Sequence, residues 1–206
     1  MTKMNWFTVK KLANNIWGIG EFKHREKAIS YLLIGKKKAL LFDTGLGIKG
    51  LKKRIDKITK LPVEVINSHS HYDHIGNNHE FNKIIYGKNK RALKIDPFDL
   101  QIIKTPGHTP DSICVYDKKN CFLLTGDTLY PGPIYLHLKE SKFADYQKSL
   151  KKLLKLKIKI IYPGHNNFSM KPDKLLKIWQ AVKGKILIQK IDNEISFLFP
   201  VKNLLK

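Results

Sequence analysis

The sequence is short of cysteine, short of arginine and without any long apolar run at its start, and each shortage narrows what the chain can be. Two cysteines, Cys114 and Cys121, cannot build a disulfide framework, and neither has the spacing of a zinc ribbon or a redox motif. They lie in apolar segments on either side of Asp117-Lys118-Lys119-Asn120, which reads as a hairpin turn, so buried free thiols are expected. The N-terminal segment never becomes uninterruptedly apolar. A signal peptide and a membrane anchor are therefore not supported, and the cytoplasm is the expected location. No internal repeat or long linker divides the chain, so residues 1–206 are read as one domain.

Acidic residues are scarce too: 17 Asp and Glu stand against 39 Lys and Arg, for a net charge of +22. Such a charge gathers polyanions. Yet arginine occurs only at Arg25, Arg54 and Arg91, and all other basic residues are lysines, which lack the planar fork suited to phosphate and base contacts. Without an aromatic-basic recognition motif, nucleic acid is a partner weighed but not favoured, and a small molecule is expected instead.

What is present begins with short apolar segments at Phe7 to Leu12, Ile16 to Gly20, Ser30 to Ile34 and Ala39 to Asp43, read as antiparallel strands. Ile48, Leu51, Ile55 and Ile58 recur at helical spacing and predict an amphipathic helix over Ile48 to Lys60, ended near Pro62. Further strands are predicted at Val63 to Asn67, Ile113 to Tyr116, Cys121 to Thr125 and Ile158 to Tyr162. Helices are expected at Asp145 to Lys155 and Pro172 to Val182, and last strands near Ile186 to Gln189 and Ile195 to Phe199.

Strand ends lead repeatedly into polar loops. Val63 to Asn67 delivers the chain into Ser68-His69-Ser70-His71-Tyr72-Asp73-His74, where residues two apart project the same way. His69 and His71 can then grip one ion while Asp73 and His74 turn toward another. A lone His-x-His is more often a solvent-facing pair. Here five of eight histidines, His69, His71, His74, His108 and His165, fall in turn-associated positions and are joined by Asp73 and Asp127. Imidazole and carboxylate donors without cysteine suit a catalytic zinc site, and iron or manganese accepts the same donors. His24 and His79 lack such a setting and are expected on the surface.

These motifs resemble, over nearly the whole chain, those of the metallo-β-lactamase-fold hydrolase superfamily. Its His-x-His-x-Asp-His signature is matched by His69, His71, Asp73 and His74. Thr105-Pro106-Gly107-His108, Thr125-Gly126-Asp127-Thr128 and Pro163-Gly164-His165 follow in the family's order. The resemblance implies an α/β (α+β) fold, a four-layer αββα sandwich, and two zinc ions. By it, His69, His71 and His108 hold the first metal, Asp73, His74 and His165 the second, and Asp127 bridges them. Asp43, in Asp43-Thr44-Gly45, is implied to orient a ligand histidine.

Two cations acidify a shared water and polarise the bond to be cut, and Asp73 is expected to orient that water and move its proton. Asp127 lies in a setting typical of branches other than the lactamases, so β-lactam hydrolysis is expected only as a weak or promiscuous activity. The similarity to glyoxalase II includes all seven ligands, but only 41 residues follow His165, which leaves that family's glutathione-binding helices unmatched. Tyr130 stands three residues after Asp127, where related lactonases place a tyrosine that supports the substrate carbonyl. The loop from Tyr130 to His137, with Tyr135, is expected to line the pocket. The expectation is a two-metal hydrolase of a small ester, thioester or lactone. A nuclease acting on RNA or DNA and a mononuclear iron persulfide dioxygenase are the alternatives.

Overall fold

Strands rich in apolar residues can be buried on both faces, and several strands of this chain are buried at nearly every position. The computed structural model describes residues 6–87, 90–184, 188–191 and 194–197. The first sheet runs, in spatial order, β1 (Thr8–Ala13), β2 (Ile16–Gly20), β3 (Ile29–Ile34), β4 (Ala39–Phe42), β5 (Val63–Ile66) and β6 (Ile84–Ile85). The first four strands pair antiparallel, as expected, and β4, β5 and β6 are parallel. The second sheet has the order β11 (Ile160–Pro163), β10 (Phe122–Gly126), β9 (Ile113–Asp117), β8 (Phe98–Lys104) and β7 (Ala92–Ile95). Only β10 and β11 pair parallel in it.

Side-chain alternation sorts these residues into layers. Tyr31 and Leu33 of β3 and Leu40 and Phe42 of β4 meet Val115, Phe122, Leu124 and Tyr162 of the second sheet between the sheets. The intervening Leu32 and Leu41 point outward and pack with Leu51 and Ile55 of helix α1 (Leu51–Ile55). Cys114, Tyr116 and Leu123 emerge on the far face of the second sheet. There they meet Tyr146, Leu150 and Leu153 of α3 (Phe143–Leu153) and Leu175 and Ile178 of α4 (Asp173–Gly184). Each fully buried Leu or Phe contributes roughly 1.5–3 kcal/mol. The layers are αββα.

The expected helix over residues 48–60 contracts to α1. Gly50 starts it at φ 100 with no side-chain cap, and Lys52, Lys53 and Arg54 crowd like charges onto one turn. Ile48 and Ile58 still pack on the sheet from irregular backbone. The strand expected from Ile158 starts at Ile160. Strands β6, β7 and β8 occupy a stretch to which the sequence reading assigns no element, although Phe98, Leu100 and Ile102 of β8 do alternate inward. The expected final strands correspond to a hairpin of β12 (Ile188–Ile191) and β13 (Glu194–Phe197), and residues 186, 187, 198 and 199 lie outside the described residues.

Cys114 and Cys121 are buried and unpaired, as expected. Burial pushes the Cys114 thiol up to about 11, which makes it a packing residue rather than a nucleophile. Among the described residues no helix is long and apolar enough to cross a membrane. The parallel pairs place the C-terminal ends of β4 and β5 in one sheet, and of β10 and β11 in the other, at a common rim, where β8, antiparallel to β9, also ends.

Candidate metal centre

Asp43 follows β4 directly and sits at φ 64, a left-handed conformation uncommon for a residue with a Cβ. That backbone aims its carboxylate across to the loop after β5. Oδ1 accepts the Ser68 N–H at 2.6 Å and Oδ2 lies 2.8 Å from His74 Nδ1. His74 belongs to α2 (Tyr72–Ile75), a single turn whose carbonyl end is held by the Thr44 N–H at 2.8 Å. Two glycines make the approach possible. A Cβ on Gly76 would stand 2.2 Å from the Gly47 nitrogen, and one on Gly126, at φ 49, would stand 2.3 Å from the Ser68 Cβ.

The other rings are also turned by their outer nitrogens. His108 Nδ1 donates to the Tyr135 carbonyl at 2.7 Å and His165 Nδ1 to the Glu26 carbonyl at 2.6 Å. Donation through Nδ1 leaves Nε2 of each ring with its lone pair facing inward. His69 has its Nδ1 2.9 Å from Ser68 Oγ, and its buried Nε2 has no hydrogen-bond partner. His71 is turned the opposite way, with Nε2 3.1 Å from Glu140 Oε1 and Nδ1 3.1 Å from His108 Nε2.

Two outer donor sets result, with a third, His69, His74 and Asp127, overlapping both. The donor atoms of His69, His71 and His108 lie within 4.8 Å of one another, as do those of Asp73, His74 and His165. Asp127 stands between them. Its Oδ1 is 2.9 Å from His165 Nε2 and 3.1 Å from His74 Nε2, while Oδ2 is 3.5 Å from His108 Nε2. Asp73 Oδ2 is 3.6 Å from His165 Nε2 and 3.8 Å from His74 Nε2.

This arrangement has more acceptors than donors. His74 Nε2 and His165 Nε2 face each other at 3.2 Å, with both Nδ1 atoms already engaged outward. Each buried polar atom left unsatisfied costs about 1–3 kcal/mol, and a cation shared by several of them removes that cost. Nitrogen and carboxylate donors without thiolate fit divalent zinc, iron or manganese.

The proton affinities follow the same division. Burial, reinforced by His74, pushes His69 well below the ordinary imidazole range, and burial lowers His108. Burial also opposes charge on His74 and His165. For His74, however, the Asp127 and Asp43 carboxylates outweigh burial and hold it well above that range, and Asp127 raises His165 likewise. Burial alone would raise Asp127, but His165 and His74 keep it well below the usual carboxylate range. Protons and metal thus compete for the same nitrogens.

A cavity of about 620 Å³ opens beside His71, Asp73, His108, Asp127 and His165. Its walls include the expected Tyr130, Tyr135 and His137, with Pro133, Leu138 and Glu140 from the same loop. The Tyr130 hydroxyl donates to the Pro133 carbonyl, so its proton is engaged within its own loop. Burial pushes that phenol well above its ordinary range. His137 Nδ1 is buried and has no hydrogen-bond partner.

A model of the metallo-beta-lactamase superfamily matches residues 27–86 and 90–165. The chain belongs to this superfamily. Acyl-coenzyme A thioesterase MBLAC2 of Homo sapiens is 22% identical, over 81% of this chain and 84% of its own length. The hydroxyacylglutathione hydrolase of Pelagibacter ubique is 32% identical, over 66% of this chain and 65% of its own. A metallo-beta-lactamase from Pontibacter korlensis shares the fold with a TM-score of 0.68 at 16% identity, over 87% of this chain and all of that one. The chain is a metal-dependent hydrolase of the superfamily.

Other groups at the centre of this superfamily member escape a sequence reading. Ser68 could have been found, because it adjoins the histidine motif. The carbonyls of Glu26 and Tyr135 carry no side-chain signal, Glu140 and Arg25 reach the cavity from loops without a motif of their own, and Tyr72 and Asn166 stand within and directly after the histidine motifs. His24 is half-buried rather than free on the surface, since its Nδ1 accepts the Glu26 N–H at 3.2 Å within the loop that supports His165. His79 is exposed, as expected.

Proposed function

We propose that this hydrolase holds two divalent cations, taken as zinc among the metals its donors accept, and cleaves small-molecule thioesters. The observation that carries the reading is the division of Asp127, whose Oδ1 lies against His74 and His165 while Oδ2 faces His108. His69, His71 and His108 would hold one ion, Asp73, His74 and His165 the other, and Asp127 both. When bound, such a pair supplies an acidified water and an electrophile for the substrate carbonyl.

The remaining work falls to the chain. Asp73 lines the cavity and is assigned the proton: its carboxylate takes one from the attacking water and returns it to the departing sulfur. A C–O bond forms as the C–S bond breaks, leaving an acid and a thiol. Asp43, Ser68 and the carbonyls of Glu26 and Tyr135 hold the imidazoles in position before substrate arrives. His137 and Tyr135 form part of the wall. Tyr130 is assigned to the wall as well, because its hydroxyl is spent on Pro133.

The thioester class is supported by the relatives, one named an acyl-coenzyme A thioesterase and the other a hydroxyacylglutathione hydrolase. The testing experiment is metal analysis followed by a panel of thioesters, lactones, phosphodiesters, RNA and a β-lactam, with Asp73→Ala as the blank. Two zinc per chain and Asp73-dependent thioester turnover support the reading. RNA cleavage in their place would make the surplus of lysine part of a nuclease. One iron per chain would also overturn it.

A further inference from the structure

Once the metal donors are accounted for, the mouth of the same cavity carries two features that water cleavage does not use. The first is aromatic exposure. Tyr72 is 58% exposed and Tyr135 37%, and both line the cavity. A flat ring left in solvent at a pocket's lip is a stacking surface for another flat group. The second is Arg25, the one lysine or arginine among the described residues that line the cavity. Its side chain is 86% exposed and its ionic partner is Glu26, met through Nε at 3.3 Å. With Nε on Glu26 and the Tyr72 hydroxyl as a second partner, the guanidinium keeps further N–H donors for an oxyanion.

We propose that this lip, Arg25 with Tyr72 and Tyr135, receives the thiol half of the substrate, and that this half is a nucleotide-bearing thiol of the coenzyme A kind rather than a peptide thiol. The proposal rests on the thioester reading above.

Three observations carry it. The guanidinium stands beside the Tyr72 hydroxyl, so an anion-binding group and a stacking ring are neighbours, matching a base and its phosphates on one ligand. The loop that bears Arg25 is firm. It is closed by Glu21 N–H to the Ala28 carbonyl at 2.9 Å and Lys27 N–H to the His24 carbonyl at 3.1 Å, and it is tied to the metal donors through Glu26 and His165. Lys23 and Lys27 stand exposed on the same loop and strengthen the positive field.

Glu26 balances Arg25 and Glu140 lies against His71, so the surplus positive charge at the lip is that of Lys23 and Lys27. A peptide thiol offers nothing flat to Tyr72. A nucleotide thiol can send its narrow sulfur-bearing arm into the cavity and leave base and phosphates on the lip.

The test compares one acyl group carried on coenzyme A, on glutathione and on N-acetylcysteamine, which has the sulfur arm without the nucleotide. The zinc-loaded full chain and its Arg25→Ala, Arg25→Lys and Tyr72→Ala variants are assayed, and binding of free coenzyme A is followed by calorimetry at low and high salt. The wild type is expected to favour the coenzyme A ester over the N-acetylcysteamine ester in kcat/KM. Arg25→Ala and Tyr72→Ala should each lower that ratio by about tenfold, as loss of one charge-assisted contact or stacking platform does. Arg25→Lys should recover part of the loss, and coenzyme A should bind more weakly in high salt.

A ratio near unity in the wild type, equal losses on both esters, or preference for the glutathione ester overturns the proposal. Failure of the wild type on all three thioesters overturns the thioester reading itself, and the proposal with it.

Discussion

His74 and Asp43 form a fully buried pair, with Nδ1 2.8 Å from Oδ2 and both side chains 1% exposed. The other oxygen of Asp43 takes the Ser68 N–H at the head of the histidine motif. One carboxylate therefore sets both the backbone entering the motif and the direction of one of its rings.

Asp43→Ala should loosen that ring and leave the Ser68 amide without its acceptor. Zinc affinity at the set containing His74 is expected to fall about 10–100-fold, as it does when the outer partner of a ligand histidine is lost. Stability should fall by about 1–3 kcal/mol for the orphaned donor. Chelator competition reads the first and urea unfolding the second. Unchanged zinc affinity would remove the positioning role.

Metal removal should lower Tm. The buried Nε2 of His69 has no hydrogen-bond partner, and the two facing nitrogens of His74 and His165 have only each other and carboxylate oxygens. Zinc at a hundred times its Kd should restore about 2.7 kcal/mol, seen as a rise in Tm by differential scanning calorimetry. Identical melting curves with chelator and with zinc would show that these residues do not hold metal.

Tyr130→Phe separates a donor from a wall. Removal of a hydroxyl that stabilises an oxyanion costs about 10²–10³ in kcat. Because this hydroxyl donates to the Pro133 carbonyl, the expected loss is under about tenfold, well short of that range. Steady-state kinetics on a turned-over thioester decide it, and a loss of two orders of magnitude would return Tyr130 to the catalytic group.

Glu64, on β5, is buried between Lys38 and Lys83. Burial alone would raise its carboxyl pKa, but the two ammonium groups outweigh burial and hold it lowered. A lowered folded value adds stability that is present above the unfolded pKa of about 4.3 and is lost as pH falls through the folded value. Glu64→Gln should thus cost about 1 kcal/mol at neutral pH, or roughly 2–4 °C in Tm. The gap to wild type should close below about pH 4. Parallel melts of both proteins without metal check this, and a gap that persists in acid would exclude the ion pairs as its cause.

Local chemistry is written in the sequence wherever a short span suffices. The histidine motif after β5 and the Asp117 to Asn120 turn each need only neighbouring residues, and the turn closes as an aspartate-capped hairpin, with Asp117 Oδ1 accepting the Lys119 N–H at 2.8 Å. The αββα layering follows from central strands rich in apolar residues, which must be covered on both faces. Helix α1 shows where local reasoning stops. Its apolar spacing is helical, but packing on the sheet is met by one turn and a loop, so the rest of the expected helix has nothing to hold it.

Only the tertiary structure decided how the centre is wired. Residues as far apart in the chain as Glu26 and His165, or His71 and Glu140, become partners because the loops that bear them meet at one rim, the first pair beside the antiparallel bridge of Ala28 and His165, and a backbone carbonyl has no residue type by which to be read. The same holds for Tyr130. Its position near Asp127 is visible in the sequence, but where its proton goes depends on the fold of the loop to Pro133. Residue types determine which donors exist. The fold determines which atom of each donor faces inward, and that orientation rather than composition sets what the site can bind.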